Sequence, residues 1–194
     1  MLVFRYFYSY EDISCYVQLI CISRYELKAL YENLYYLNLN TKIIVYAESV
    51  TEKPMFREAY QKRRCLAPAS GFYEWRKNGR GKIPYYFSPK NEREPLVFAG
   101  LWENWNNGNE TLWSFTIITT AANDFMKPIH DRMPLILKPK FWRKWIAPEA
   151  GLSEIDKILE QPVGNDVLQN WEVGPYVNNA VHEGACCIAR IISL

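Results

Sequence analysis

Glu74 stands alone among aromatic residues in Gly71-Phe72-Tyr73-Glu74-Trp75, just after the basic pair Arg63-Arg64 and the turn residues Pro68 and Gly71. Along an extended chain side chains alternate, which puts Phe72 and Glu74 on one face of a strand and Tyr73 and Trp75 on the other. A carboxylate held among aromatic rings loses hydration. Its charged form is disfavoured and its pKa rises toward the range that moves protons near neutrality. The same residue on a sheet edge, paired with Arg76 or Lys77, would be an ordinary ion pair without chemistry. His130 is the second candidate, one of only two histidines, in Pro128-Ile129-His130-Asp131-Arg132-Met133-Pro134 and shortly after Thr119-Thr120-Ala121-Ala122-Asn123. An imidazole, with an ordinary pKa of about 6.5, can donate or accept at cellular pH. The plainer reading of His130 is a loop histidine fixed by Asp131, and of Arg132 a structural ion-pair partner rather than a phosphate contact. Cys65 lies in an apolar strand and reads as inert core; Cys186-Cys187 is a vicinal pair with no helper histidine nearby in sequence, and His182 has no assigned role.

The elements that must position these groups are mostly strands. Pro54 to Gln61 reads as a short helix, Cys65 to Trp75 as a turn running into a strand, and Asn78-Gly79-Arg80-Gly81 as a hairpin turn onto Pro84 to Ser88. Leu96 to Trp105 and Leu112 to Thr120 form a second strand pair, and Val167 to Val173 and Ala185 to Ile192 read as late strands. Helices are expected at Phe141 to Ile146, after Pro139, and at Ser153 to Glu160, where Ser153 and Asp156 are spaced like a capping box. Leu2 to Tyr8 fits a strand, and Tyr25 to Leu34 has helical spacing. Strands dominate with helices placed irregularly between them, which predicts an α+β fold: a curved, mostly antiparallel, barrel-like sheet with short peripheral helices. No internal repeat, low-complexity segment or linker interrupts the sequence, so residues 1–194 read as one domain.

With 194 residues, 49% hydrophobic, the chain can build a sizeable core; its seven Trp, fourteen Tyr and nine Phe suit sheet surfaces and stacking platforms. A formal charge of +2 is too small to imply a nucleic-acid partner by itself. Between Lys53 and Lys82, however, nine basic residues (Lys53, Arg57, Lys62, Arg63, Arg64, Arg76, Lys77, Arg80, Lys82) face two acidic ones (Glu58, Glu74), an excess that either tracks a phosphate backbone or forms a solvated basic face. Five cysteines without CxxC spacing argue against a disulfide framework and against a zinc site, and no metal or other cofactor is expected. No apolar run is long enough to span a bilayer, and the first residues lack a signal peptide's apolar core, so a cytoplasmic protein without a membrane partner is expected.

Several stretches in this order resemble the SRAP family, the SOS-response-associated peptidases or abasic-site-processing proteins. They are Ala47-Glu48-Ser49-Val50 with Lys53-Pro54-Met55-Phe56-Arg57, the Gly-Phe-Tyr-Glu-Trp strand, Ile83-Pro84-Tyr85-Tyr86, Ala99-Gly100-Leu101-Trp102, His-Asp-Arg-Met-Pro and Val177-Asn178-Asn179. The motif-bearing part is about 47–188. The resemblance implies an SRAP-like fold and a DNA-damage role: binding single-stranded DNA that contains abasic sites and forming a covalent crosslink there, with associated peptidase or lyase activity. In that chemistry an N-terminal amine attacks the ring-opened aldehyde of the sugar to give a Schiff base, and a cysteine thiol closes a thiazolidine. By resemblance Glu74 positions the α-amine and moves its protons, His130 is acid or base on the sugar hydroxyl, Arg132 contacts phosphate and Thr119 contacts the backbone of the DNA. A monomer without cofactor or metal is expected.

The first 46 residues depart from that pattern. The family has cysteine at the second position, where this sequence has Leu2, and an asparagine and an arginine where it has Ile44 and Tyr46. Two explanations stay open: a lost, frame-shifted or mis-assigned start, or divergence into a paralogue that does not crosslink. As written, Leu2 supplies no thiol, so covalent trapping should be weak or absent, with strand cleavage through the imine remaining open to the α-amine. A crosslinking or nicking repair enzyme is thus set beside a non-catalytic single-strand-binding module, and beside a conventional peptidase using Cys65 or Ser70 with His130.

Overall fold

Ser70 and Gly71 are where the chain leaves one sheet for another. Before them β2 (Arg64–Ala69) pairs antiparallel with β5 (Leu96–Asn106); after them β3 (Phe72–Asn78) pairs antiparallel with β4 (Gly81–Pro89). The stretch from Cys65 to Trp75, expected to be a turn running into a strand, is therefore two strands in two sheets. A Cβ on Gly71 would lie 2.3 Å from the Phe87 carbonyl oxygen and 2.4 Å from the Tyr86 ring, so the crossing requires a residue without one. The computed structural model describes residues 45–79, 81–106, 111–179 and 181–191. The strand and helix expected at Leu2 to Tyr8 and Tyr25 to Leu34, like position 2 itself, lie outside them.

The larger sheet runs β1 (Val45–Tyr46), β6 (Thr111–Ala121), β5, β2, with β7 (Arg132–Pro134) also on β6; the smaller runs β3, β4, β8 (Leu168–Glu172). Only β1, against β6, is parallel among these pairs. The α+β class with mostly antiparallel sheet is thus observed, and the sheets stay open rather than closing into a barrel. β5 and β6 pair from Gly100–Asn106 against Thr111–Ile117 and then part. Into the split run β7 and the residues after it: Leu135 N–H donates to the Ile118 carbonyl, Ala99 N–H to the Leu135 carbonyl, and Leu137 N–H to the Val97 carbonyl. The wedge begins two residues after His130.

Three apolar layers hold this arrangement. One lies between the larger sheet and helices α1 (Pro54–Lys62), α2 (Trp142–Ile146) and α3 (Leu152–Leu159), around Val45, Tyr60, Leu101, Ile118, Trp145 and Ile155. A second joins residues of both sheets, Ala67 and Phe98 from one, Phe72, Phe87 and Leu168 from the other, with Met126 and Met133. The third covers the far face of the smaller sheet, where Tyr73 and Tyr86 meet Val173, Val177 and Cys187. Phe72 falls in one layer and Tyr73 and Trp75 in the other, as period-two alternation requires.

Two local expectations fail. The capping box at Ser153 does not form: Gly151 is the N-cap without a side-chain cap, and Asp156 instead accepts a 2.8 Å hydrogen bond from the buried Tyr60 hydroxyl. The strand expected from Ala185 is a 3-10 turn over Ala185–Cys187, set up by Gly184 at φ +88°, and only Arg190 bridges to Val173. The local turn uses the backbone groups that a ladder would have needed, and Cys187 is buried beneath the smaller sheet.

Candidate functional site

Glu74 occupies the centre of β3, opposite Tyr85 on β4, which in turn faces Glu172 on β8. The side chain is fully buried, 0% exposed. Desolvation holds its pKa above the ordinary carboxylate range, and a positive charge on His130 works in the opposite direction. The ion pair with Arg76 or Lys77 that would have made Glu74 ordinary is not the arrangement seen. Among the described residues it is the His130 imidazole that stands beside the carboxylate.

His130 arrives from the other sheet, at the end of the loop between β6 and β7. The loop is closed by the Ala122 N–H donating to the Asp131 carbonyl, and its first turn is capped by the Asn123 side chain accepting from the Met126 N–H at 3.0 Å. Asn123 also donates to the Gly164 carbonyl at 3.3 Å, and Met126 is fully buried, so a side chain at each level anchors the loop. His130 Nε2 is thereby set 3.8 Å from Glu74 Oε2, with the ring 31% exposed. This is longer than a hydrogen bond, as contacts in unliganded sites often are, and close enough for the two charges to couple.

The far side of the ring sees a mixed set of partners. Nδ1 accepts from the Arg132 N–H at 3.0 Å, while the Arg132 carbonyl at 3.2 Å and Asp131 Oδ1 at 3.3 Å can only accept from it. The neutral tautomer with its proton on Nε2 suits the amide, and the imidazolium suits the carbonyl and carboxylate. These contacts on Nδ1 hold the ring so that Nε2 faces Glu74.

Arg132 and Thr119 are also brought together, but in a different manner from that expected. Arg132 forms a fork on Glu48, with Nη1 to Oε1 at 2.8 Å and Nη2 to Oε2 at 2.9 Å; Nη2 also donates to the Thr119 carbonyl at 2.7 Å. The guanidinium lies 4.5 Å from the centre of the Tyr46 ring, which Lys53 approaches at 5.3 Å. Thr119 is buried, 3% exposed, and its hydroxyl donates to the Val45 carbonyl at 3.1 Å. Arg132 holds the Glu48 carboxyl below its usual range through their hydrogen bonds. Glu48 and Tyr46 are partners that sequence reasoning missed: they lie 84 and 86 positions before Arg132, and nothing local in either stretch signals the meeting.

The basic run from Lys53 to Lys82 is partly consumed inside the fold. Arg64 is buried and donates to four carbonyls, Arg63 pairs with Glu103 at 2.6 Å and Glu58 at 3.2 Å, and Arg76 lies over the Tyr85 ring. Lys53, Arg57, Lys77 and Lys82 are exposed. Cys65 is buried, its sulfur so close to Gly100 that a Cβ there would fall at 2.8 Å, which fits packing rather than nucleophilic attack. His182 stacks on Tyr176, with centroids 3.8 Å apart, on the third apolar layer's rim. Among the described residues no cluster of three or more His, Cys, Asp or Glu is placed to hold a metal ion, and no helix is long and apolar enough to cross a membrane.

Comparison with known proteins adds to this geometry. Residues 35–180 match the family model described as SOS response associated peptidase (SRAP). The chain is 38% identical over 141 residues to the abasic site processing protein YoaM of Bacillus subtilis, covering 72% of this chain and 62% of that protein. To the abasic site processing protein HMCES of Xenopus tropicalis it is 34% identical over 167 residues, covering 75% of this chain and 49% of the relative. The chain thus spans between half and two thirds of the length of these relatives. Among solved structures, a protein from Bacteroides thetaiotaomicron superposes with a TM-score of 0.70 at 30% identity, over 76% of this chain and 65% of the other.

Proposed function

The chain belongs to the SRAP family, and from that premise we propose that it processes abasic sites in single-stranded DNA, with Glu74 and His130 as its proton-transfer groups. One observation carries the reading: a fully buried carboxylate of raised pKa, 3.8 Å from a partly exposed imidazole whose Nδ1 is held by the Arg132 backbone.

An abasic sugar in its ring-opened form presents an aldehyde. An amine beside Glu74 and His130 attacks it, giving a carbinolamine, and loss of water gives an imine. Glu74 takes the proton that must leave the attacking amine and returns it to the departing hydroxyl, a transfer that a carboxyl raised above its ordinary range by burial favours. His130, partly open to solvent, serves the sugar oxygen as acid and then base. Arg132 and Tyr46 receive the DNA backbone, with the buried Thr119 holding Arg132 from behind and Arg132 exchanging Glu48 for phosphate. An α-amine that carries a cysteine side chain would go on to close a thiazolidine; one without a thiol stops at the imine, where hydrolysis and strand cleavage compete with trapping.

Incubation with a single-stranded oligonucleotide carrying one abasic site, followed by a denaturing gel, tests this. Cleaved or shifted product is expected, with rates falling about a hundredfold or more in Glu74→Gln and His130→Ala. Rates unchanged in both variants overturn the assignment. A second reading, a non-catalytic single-strand binder, is favoured by the occupied guanidinium fork of Arg132 and by the aromatic residue at Tyr46. Salt-sensitive binding without any product would establish it.

A further inference from the structure

Three polar side chains lie beside the Glu74–His130 pair and take no part in its chemistry. The strand register sets Glu74, Tyr85 and Glu172 in one row across the smaller sheet, and residues directly opposite one another share a face. Arg76, two positions beyond Glu74 on β3, belongs to that face as well. Along the row burial falls: Glu74 is fully buried, whereas Arg76, Tyr85 and Glu172 are half-exposed. The Arg76 guanidinium lies 5.0 Å from the Tyr85 ring centre, and the Tyr85 hydroxyl donates to Glu172 Oε2 at 3.3 Å. Among the described residues no ion pair joins Arg76 to Glu172; the phenol stands between them. The result is a planar cation over the face of one aromatic ring and a carboxylate at its hydroxyl end, both carried on paired strands.

We infer that Arg76, Tyr85 and Glu172 form a nucleobase subsite that takes an unpaired guanine flanking the abasic residue. The inference rests on the reading that an abasic single strand lies against the Glu74–His130 pair. Guanine presents two adjacent acceptors, O6 and N7, and two adjacent donors on its Watson–Crick edge. A guanidinium matches the first pair, and a carboxylate matches the second. Adenine, cytosine and thymine each lack one of these pairs. The half-exposed guanidinium over the ring supplies a stacking plane that any base can use, so the subsite has a general part and a discriminating part. Glu172 is two strand spacings from Glu74, about 10 Å, which is the reach to a neighbouring nucleotide rather than to the abasic sugar.

Fluorescence anisotropy of the full chain with short single-stranded oligonucleotides containing a stable tetrahydrofuran abasic analogue tests this. The analogue is flanked in turn by G, A, C or T on its 5′ or 3′ side. Guanine on one side is expected to bind about tenfold tighter than the other bases. Glu172→Gln should reduce that preference to about twofold or less, and Arg76→Gln should weaken all flanks while narrowing their spread, with thermal melts confirming that each variant is folded. Abasic strands that bind with no dependence on the flanking base sink the subsite and leave the proposed function standing. Failure to bind any abasic strand sinks both. If a variant unfolds, the comparison of flanks in the unaltered protein decides alone.

Discussion

Replacing Arg64 with methionine should cost about 3–5 kcal/mol of stability and leave single-strand binding untouched. The side chain is 6% exposed, and burial lowers its pKa from the usual arginine value, yet a guanidinium remains a cation in proteins. Its nitrogens donate at 2.6–2.7 Å to the carbonyls of Tyr60 and Gln61 at the end of α1, and of Trp145 and Ala147 at the end of α2. The last carbonyls of a helix lack partners within it and carry the negative end of its dipole. One buried cation thus answers two helix ends. Methionine keeps much of the stem and its packing but offers no donor. The carbonyls of Tyr60 and Trp145 meet Arg64 in buried contacts and would be left dry, at about 1–3 kcal/mol each; those of Gln61 and Ala147 are part-buried and would recover some water. Set against a typical total of about 5–15 kcal/mol, this is a large fraction, and it lowers the melting temperature by about 10 °C. Urea unfolding followed by tryptophan fluorescence measures it, with affinity and salt dependence for single-stranded DNA read well below the melt. A loss under about 1 kcal/mol, or a folded variant with weaker binding and a shallower salt slope, would falsify the assignment of Arg64 to the fold rather than to phosphate.

Glu74→Gln should stabilise the protein as it removes activity. A carboxyl whose folded pKa is raised binds its proton more tightly in the native state, so stability falls as pH rises from the unfolded carboxyl value, about 4.3, through the folded one. The glutamine variant should therefore melt higher at pH 8, with the gain gone near pH 4; equal melts at pH 8 contradict it. Glu48→Gln removes the charge on which the Arg132 fork rests and should raise single-strand affinity and steepen its salt slope by about one charge, as measured by anisotropy titrations at several salt concentrations. Weaker binding would mean that the pair positions Arg132 rather than competing for it. Gly71→Ala forces a Cβ to 2.3 Å from the Phe87 carbonyl oxygen and should cost about 1–3 kcal/mol in thermal unfolding, with abasic-site processing reduced because β3 carries Glu74. A melt within experimental error of the unaltered chain rules out the crossing as a tight one.

What could be read before any coordinates were the features carried by short-range pattern. Alternation gave the two faces of Phe72 to Trp75, and the aromatic surroundings of Glu74 gave the direction of its pKa. Strand pairs with glycine or asparagine turns between them came out within a residue or two, as at Leu96–Asn106 and Thr111–Ala121. What escaped depends on contacts between distant positions. Arg64 is indistinguishable from its neighbour Arg63 in sequence, yet one is buried on carbonyls and the other is paired with Glu103, because period-two alternation at the head of β2 sends them to opposite sides. Asp156 looks like half of a capping box and is claimed by Tyr60, 96 positions away. The turn at Ala185–Cys187 has apolar residues suited to a strand, and it is Gly184 at positive φ that decides otherwise. The fork between Glu48 and Arg132 has no local signature at all.

Glu74 and His130 ride on separate sheets, and the apolar layer around Phe72, Phe87, Phe98, Met126 and Met133 joins those sheets and so sets how far apart the two stand. Their spacing is therefore a gauge of how firmly the two halves adhere. Warming or mild pressure that loosens that seam would silence turnover while circular dichroism still showed intact strands, so the temperature at which catalysis fades should precede the one at which the backbone melts.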